Sequence, residues 1–482
     1  MIDINKIKTY IDKNYIIYII TFIQWYLTFF TDSKIFIENI ADNLFLYFTL
    51  KIILFIVLFN WWKFIIQDNK KNKQVFVYAI PYFLILLTYF FINHQMFLKG
   101  DELNIFNCVI RFNISPYHFT YFTGLMYAIS LMIMPFPIGI VIIKIIIQSL
   151  ICGYCVYKCK NYYKSNWSYL IYFLFLIPNV IENGILIHRM QYYGLLYLVI
   201  IVKLVFDYKS NKKIEIIKML LLMLALAVLT IWRKEGIYLL AFAPLIICAV
   251  YNIKTLKKIV LTFTLFLLIV LAVEVPQLVS NKSFTLEDTH TYNQWFVNMC
   301  RNGLDKEKYP EQMEAIDKYV SIEAVDYINK KLGDENYEDE YIAWRNGYIG
   351  IRKEYTQENI NNYKVAVRYL IIHEPIIFIK TRIGLWIYMS QMNNNIVFNI
   401  NIPMIALIVL FVYSFIKRKN AYVLITMGLL LHTIITIIFA PAAYFKYYYH
   451  SYLIGEFFII IALIQVCMKL ESKLEKANNL AK

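Results

Sequence analysis

Two adjacent acids, Asp101 and Glu102, follow Lys99 and Gly100 at the end of a long apolar run. The glycine permits an abrupt exit from a helix, which sets the acids at the head of a long polar loop. A carboxylate held at a membrane surface suits a general base for a hydroxyl or amine acceptor; a solvated loop start is the plainer account. Further along, Asn113-Ile114-Ser115-Pro116-Tyr117-His118 opens an apolar stretch. Ser115 can cap a helix with Pro116 in its first turn, and His118 remains for a phosphate or sugar contact. Trp232-Arg233-Lys234-Glu235-Gly236 is a tight charged turn between apolar runs. It is a solvated hairpin, or an arginine at a headgroup boundary that grips phosphate bidentately. Glu182, His188, Arg189 and Gln191 form another polar group. In Tyr444-Phe445-Lys446-Tyr447-Tyr448-Tyr449-His450 the tyrosines fit an interfacial aromatic belt, while Lys446 and His450 suit a phosphate.

Membrane helices must position these groups. Of 482 residues, 60% are apolar and 17% charged, against about half and a quarter in soluble domains. The apolar residues gather in runs such as Leu44–Ile66, Val75–Phe97, Phe136–Tyr157, Lys257–Val279 and Ala421–Ala440, each long enough for ~30 Å of hydrocarbon. The net charge of +15 comes from lysines in short loops, as the positive-inside rule expects. No basic domain could follow a phosphate backbone, so nucleic acid is excluded as a partner. Lys70–Lys73, Lys158–Lys164, Lys209–Lys213, Lys254–Lys258, Lys417–Lys419 and Lys469–Lys476 then mark the cytoplasmic side, with both termini inside. That orientation requires Tyr117–Met134 and Pro375–Gln391 to lie on the outer surface as interfacial helices. About twelve spans remain, near 14–30, 44–66, 75–97, 136–157, 167–181, 185–206, 215–232, 236–251, 257–279, 400–416, 421–440 and 451–468.

The expected fold is therefore an all-α integral membrane protein. Residues 1–279 form a transmembrane domain with a first outer loop at 98–135. Residues 280–399 form an extracytoplasmic helical region, with short helices such as Pro310–Leu332 and Asp339–Arg352 and the interfacial helix 375–391. Residues 400–482 supply the last transmembrane helices and a cytoplasmic tail. The apolar run after Lys6, Lys8 and Lys13 lacks a small-residue cleavage pattern and reads as a retained first helix. Cys152, Cys155 and Cys159 read as small apolar helix residues rather than metal ligands. Lys51, Lys144 and Glu274 lie within spans, where charges are functional candidates by default; pairing or snorkelling is the plainer account of the lysines. No Gly-rich phosphate loop, GxSxG or HExxH occurs.

In this order, Asp101-Glu102, Pro116-Tyr117-His118, Arg233-Lys234-Glu235-Gly236, His373-Glu374-Pro375 and Ala440-Pro441-Ala442-Ala443-Tyr444-Phe445-Lys446-Tyr447 resemble the outer-face motifs of the bacterial GT-C membrane glycosyltransferases. The resemblance covers the layout from about residue 75 onward. It implies inverting transfer of a sugar from a polyprenyl-phosphate or polyprenyl-diphosphate donor to a glycan, lipid or protein acceptor, on the outer face of the plasma membrane. It implies Asp101 as base, with Glu102 as its alternative. Arg233, Lys446 and Arg189 would hold the donor phosphate, and His118, Glu235, Tyr444 and His450 would line the site. The acids here are adjacent, not spaced as DxD, and Lys446 lies two residues beyond the family's arginine. The base and any divalent cation stay open. Two competing classes remain. A polysaccharide polymerase or ligase should lack a base directly after an early span. A lipid-linked oligosaccharide flippase or transporter should show broken helices near the midplane and an internal repeat; the sequence displays neither.

Overall fold

The computed structural model describes residues 4–38, 40–67, 69–93, 101–114, 120–187, 189–280, 289–332, 356–391, 399–439 and 445–480. Among these residues every element is helical. Seven helices are long and apolar enough to cross a membrane: Ile40–Ile66, Lys70–Asn93, Pro137–Tyr163, Arg189–Lys209, Leu256–Leu278, Asn420–Phe439 and Phe445–Glu475. Leu261, Leu267, Leu268 and Leu271 are exposed along one of them, a surface that suits lipid and not water. The chain is a multi-pass α-helical membrane protein.

Five of the twelve expected spans take other forms. The stretch 167–181 is broken: Asn166–Leu176 and Pro178–Ile185 meet at a 61° bend. Pro178 supplies no amide to the preceding turn, so the helix cannot run through it. The stretch 236–251 is a helix of only 12 residues, Leu239–Val250, with Pro244 inside it. Tyr15–Phe30, Ile216–Trp232 and Asn401–Ile416 are apolar helices of 10–17 residues.

Helix Arg189–Lys209 runs through the centre, buried from Met190 to Asp207 on most faces. It packs on helices Pro137–Tyr163, Ile216–Trp232 and Tyr449–Leu480. Gly194 permits that last contact, since a Cβ there would lie 2.9 Å from the Tyr449 ring. Gly153 does the same for Lys70–Asn93, because a Cβ would fall 2.2 Å from the Val75 carbonyl oxygen. Cys152, Cys155 and Cys159 are buried in this core as free thiols.

The two expected interfacial helices differ from one another. Tyr121–Ile133 has 13 residues, with Phe122, Thr123, Gly124 and Tyr127–Met132 all buried. It is covered by protein and does not lie open on a surface. Pro375–Gln391 buries Thr381, Arg382, Leu385 and Met389 and exposes Ile376, Ile379, Ile383 and Ile387. That apolar outer stripe has the helical spacing of a segment resting in a headgroup layer. Before it, a small helical module with its own core (Phe296, Ile316, Tyr319, Val325, Ile360, Tyr363, Val367) occupies the polar region. Trp295 Nε1 donates to the Ile438 carbonyl at 2.9 Å and ties the module to helix Asn420–Phe439. The single helix expected over 310–332 is two, Pro310–Asp317 and Ile322–Leu332, because Asp317 accepts the Ile322 amide at 3.0 Å and starts the second. The helix expected over 339–352 lies outside the described residues.

Lys51 does not snorkel. It is fully buried, 2.6 Å from Asp32 Oδ2, and donates to Thr28 Oγ1 at 2.7 Å. Tyr47 Oη donates to the same Asp32 oxygen at 2.6 Å. This knot joins the end of helix Tyr15–Phe30 to helix Ile40–Ile66, and Phe36 stacking on Phe112 at 4.3 Å carries the contact to the segment after helix Asp101–Val109. Removing one partner of such a pair leaves a buried charge uncompensated, at about 3–5 kcal/mol. Lys51→Met should therefore lower the thermal midpoint in detergent strongly, and Lys51→Met with Asp32→Asn should recover most of the loss. Equal midpoints for wild type and the single variant would contradict the pairing.

Candidate functional site

Helix Asp101–Val109 opens with its two acids, which favour the positive end of a helix. Their side chains are not simply solvated. Glu102 is 3% exposed. Tyr127 Oη donates to its Oε2, and the backbone amide of Arg189 approaches its Oε1 at 3.4 Å. The Arg189 guanidinium lies 3.4 Å from Asp101 Oδ2 and 3.5 Å from Glu102 Oε1. One arginine at the start of the central helix thus faces both acids. Burial pushes the Glu102 carboxyl up; Arg189, Tyr127 and the Arg189 amide oppose it, and the balance stays above the ordinary value of 4.5. Asp101 retains more solvent, with 17% of its side chain exposed. The two acids are therefore unequal: Asp101 is the more open carboxylate, and Glu102 is the anchor.

A second layer lies beneath. Lys144 donates to the carbonyls of Asn183 and Leu186 and to Gln191 Oε1. Gln191 Nε2 in turn donates to Asn183 Oδ1 at 2.7 Å. Lys144 therefore sutures the loop that precedes Arg189 to helix Pro137–Tyr163.

Met190 continues the site to the other side. Its sulfur touches the Arg233 guanidinium, which holds Glu235 through Nε at 3.1 Å and Nη2 at 2.5 Å. Tyr193 and Tyr447 flank the guanidinium at 5.9 and 5.5 Å. Gly236 is required in this turn, since a Cβ would meet the Leu229 carbonyl oxygen at 2.6 Å. Burial alone would raise the Glu235 carboxyl, but Arg233 outweighs it and holds it below the ordinary range. Arg233 is only 7% exposed, so this arginine is not the open phosphate clamp that the sequence suggested. It is a neutralised strut. His450 is similarly enclosed: it stacks on His432 at 3.9 Å and on Tyr197 at 5.9 Å, and is bonded to Ser451 at 3.0 Å.

Asp101, Glu102, Arg189, Arg233 and Glu235 thus gather around the start of the central helix, with His450 further along it against Tyr193 and Tyr197. Lys446, half-buried, lies 5.6 Å from the Tyr447 ring centre, next to Arg233's flank. His118, His188 and Tyr444 lie outside the described residues. Glu274 sits on helix Leu256–Ser280, where the Val273 carbonyl and Gln277 Oε1 accept hydrogen bonds from Tyr121. Tyr127, Met190, Tyr193 and His432 were missed by the sequence. Only His432 carried a signal, as a lone imidazole inside an apolar run. Among the described residues no group of three or more His, Cys, Asp and Glu side chains could hold a metal ion.

No protein-family model, curated protein or solved structure matches the chain.

The raised Glu102 carboxyl has a consequence for stability. Its folded value lies above its unfolded one, so the native state holds the extra proton between them. Stability contributed there is present below pH 4.5 and is lost as pH rises through the folded value. Unfolding midpoints measured across that window should fall with pH for wild type and fall less for Glu102→Gln. Identical slopes would show that Glu102 is not the buried acid described.

Proposed function

We propose that the protein is a membrane glycosyltransferase of GT-C type, with about twelve spans when the shorter apolar helices are counted. In this proposal it works on the outer face of a bacterial plasma membrane with both termini cytoplasmic. It transfers a sugar from a polyprenyl-phosphate-linked donor to a glycan, lipid or protein acceptor. The observation that carries the reading is the pairing of Asp101 and Glu102 with Arg189 at the mouth of the bundle. A base and a cation so close can serve the two ends of one displacement. Asp101 takes the acceptor proton as the acceptor oxygen attacks the anomeric carbon. The bond from that carbon to the donor phosphate oxygen breaks, and the lipid phosphate leaves with the electron pair and inversion at carbon. Arg189, assisted by Lys446, meets the charge that develops. Glu102 orients Arg189, and Arg233 with Glu235 braces the floor.

A lipid-linked oligosaccharide flippase or transporter is the second reading. The 61° break at Pro178 favours it, since discontinuous helices mark translocation paths.

Turnover separates the two. With radiolabelled polyprenyl-phosphate sugars in nanodiscs, Asp101→Asn should lower release of lipid phosphate by about 10²–10⁴-fold, the range of a lost general base. Glu102→Gln should lose less. Movement of intact labelled lipid across liposomes without release would instead support the second reading.

A further inference from the structure

The last helix of the polar module, Gln357–His373, has two apolar faces. Ile360, Tyr363, Val367 and Leu370 are buried and close the module's core. Val365, Tyr369 and Ile372 follow one another at helical steps of four and three, so they share the opposite face. They are 62%, 39% and 73% exposed. Ile376 lies four residues beyond Ile372 and opens the exposed stripe of helix Pro375–Gln391. Helical bonding bridges the joint: the Glu374 amide donates to the Leu370 carbonyl at 2.8 Å, and the Phe378 amide donates to the Glu374 carbonyl at 3.1 Å. One apolar stripe, unbroken in its spacing, therefore runs from Val365 to Ile387 over two helices.

The middle of this stripe sits at the end of a membrane span. Phe439 is the last residue of the spanning helix Asn420–Phe439. The Trp295 ring of the module stands 5.7 Å from the Phe439 ring and 5.6 Å from the Phe378 ring. If helix Gln357–His373 rose straight from that level, Val365 would stand roughly 10 Å farther out than Ile372, at 1.5 Å per residue, and its face would meet water. A contiguous row of large exposed apolar side chains marks a surface that something covers. The charges indicate what covers it. From Lys364 to Gln391 the chain carries Lys364, Arg368, Lys380 and Arg382 but one acid, Glu374. Glu374 is engaged by the module, accepting from Lys308 Nζ and Tyr309 Oη, each at 2.7 Å. Lys364 and Arg368 lie beside the Tyr292 ring at 5.9 and 5.3 Å. Helical spacing puts these two along one flank of the stripe and exposed Lys380 along the other.

We propose that helix Gln357–His373 docks, together with Pro375–Gln391, on a bilayer surface bearing anionic phospholipid. The stripe enters the headgroup layer, and Lys364, Arg368 and Lys380 meet lipid phosphates. Helices with an apolar row and flanking cations bind in the plane of the interface in this way, and each basic residue near an anionic surface adds attraction. A second copy of this chain fits the stripe less well, because a two-fold contact there would set cations against cations. Docking gives the module a second attachment beside the bond from Trp295 to Ile438, so the module's last helix is a membrane-bound element and not a solvated one. The proposal stands whether the protein transfers sugar or moves lipid.

The test is photo-crosslinking of the full chain in nanodiscs made of equal parts phosphatidylcholine and phosphatidylglycerol. Benzoylphenylalanine is placed at Val365 or at Ile372, both exposed, so the fold accommodates it; an unchanged thermal midpoint checks this. Mass spectrometry should find phospholipid adducts at both positions. Phosphatidylglycerol adducts should exceed phosphatidylcholine adducts by about threefold or more, the order expected where several basic residues meet an anionic surface. Adding Lys364→Gln and Lys380→Gln should keep the adducts and bring the two lipids toward parity. Folded chains without lipid adducts at these positions would overturn the proposal, as would a crosslinked dimer of the chain in their place. Adducts that show no preference for phosphatidylglycerol, or a preference that survives the two lysine substitutions in full, would overturn the assignment to anionic lipid.

Discussion

The contact between Arg189 and the Asp101-Glu102 pair is the constraint on which this end of the helix bundle depends. Glu102 is almost wholly buried, and a buried carboxylate is tolerated only with donors around it. Arg189 supplies both its guanidinium and its backbone amide, and Tyr127 supplies a hydroxyl. Satisfying Glu102 therefore docks the first outer loop, through helices Asp101–Val109 and Tyr121–Ile133, onto the start of the central helix. Lys144 fixes the segment before Arg189 from below, and Met190 passes the contact sideways to Arg233.

Charge pairing is distributed with a purpose in this bundle. Lys51 with Asp32 and Arg233 with Glu235 are buried and mutually neutralised. Buried pairs of this kind add little net stability but specify one arrangement of helices. The Arg189 contacts are longer, at 3.4 and 3.5 Å, and Arg189 and Asp101 keep some solvent while Glu102 does not. A looser, partly wet pair is the one that can exchange a carboxylate for an incoming phosphate. Of the cations that the sequence offered for a phosphate, Arg233 is held by Glu235, and the proposed function therefore places the phosphate at Arg189.

The sequence disclosed the membrane class because hydropathy is local: long apolar runs and lysine loops need no tertiary information. It also disclosed Asp101, Glu102 and Arg189 as polar residues at run ends. Their meeting was not legible, since it joins residues 88 apart in the chain. Burial of Arg233 was hidden for the same reason, because Tyr193 and Tyr447 that flank it come from two other helices. The run 167–181 looked continuous because a single proline hardly lowers the mean hydropathy of an otherwise apolar stretch. Pro178 breaks it through its missing amide, which hydropathy does not weigh. The stretch Tyr117–Met134 looked interfacial because a crossing there would put Lys158–Lys164 on the wrong side, and its polar residues agreed with that. Thr123 instead accepts from Trp232 Nε1 at 3.1 Å and is buried.

Equilibrium binding of a short-chain polyprenyl phosphate to the purified protein in nanodiscs tests the central claim, that Arg189 is the anion-binding cation of the outer site. Arg189→Gln should weaken binding by about tenfold or more, the loss of one charge-assisted pair, while Asp101→Asn should bind at least as tightly as wild type because a competing carboxylate charge is gone. Absence of binding by wild type, or equal affinity in Arg189→Gln, would contradict the account.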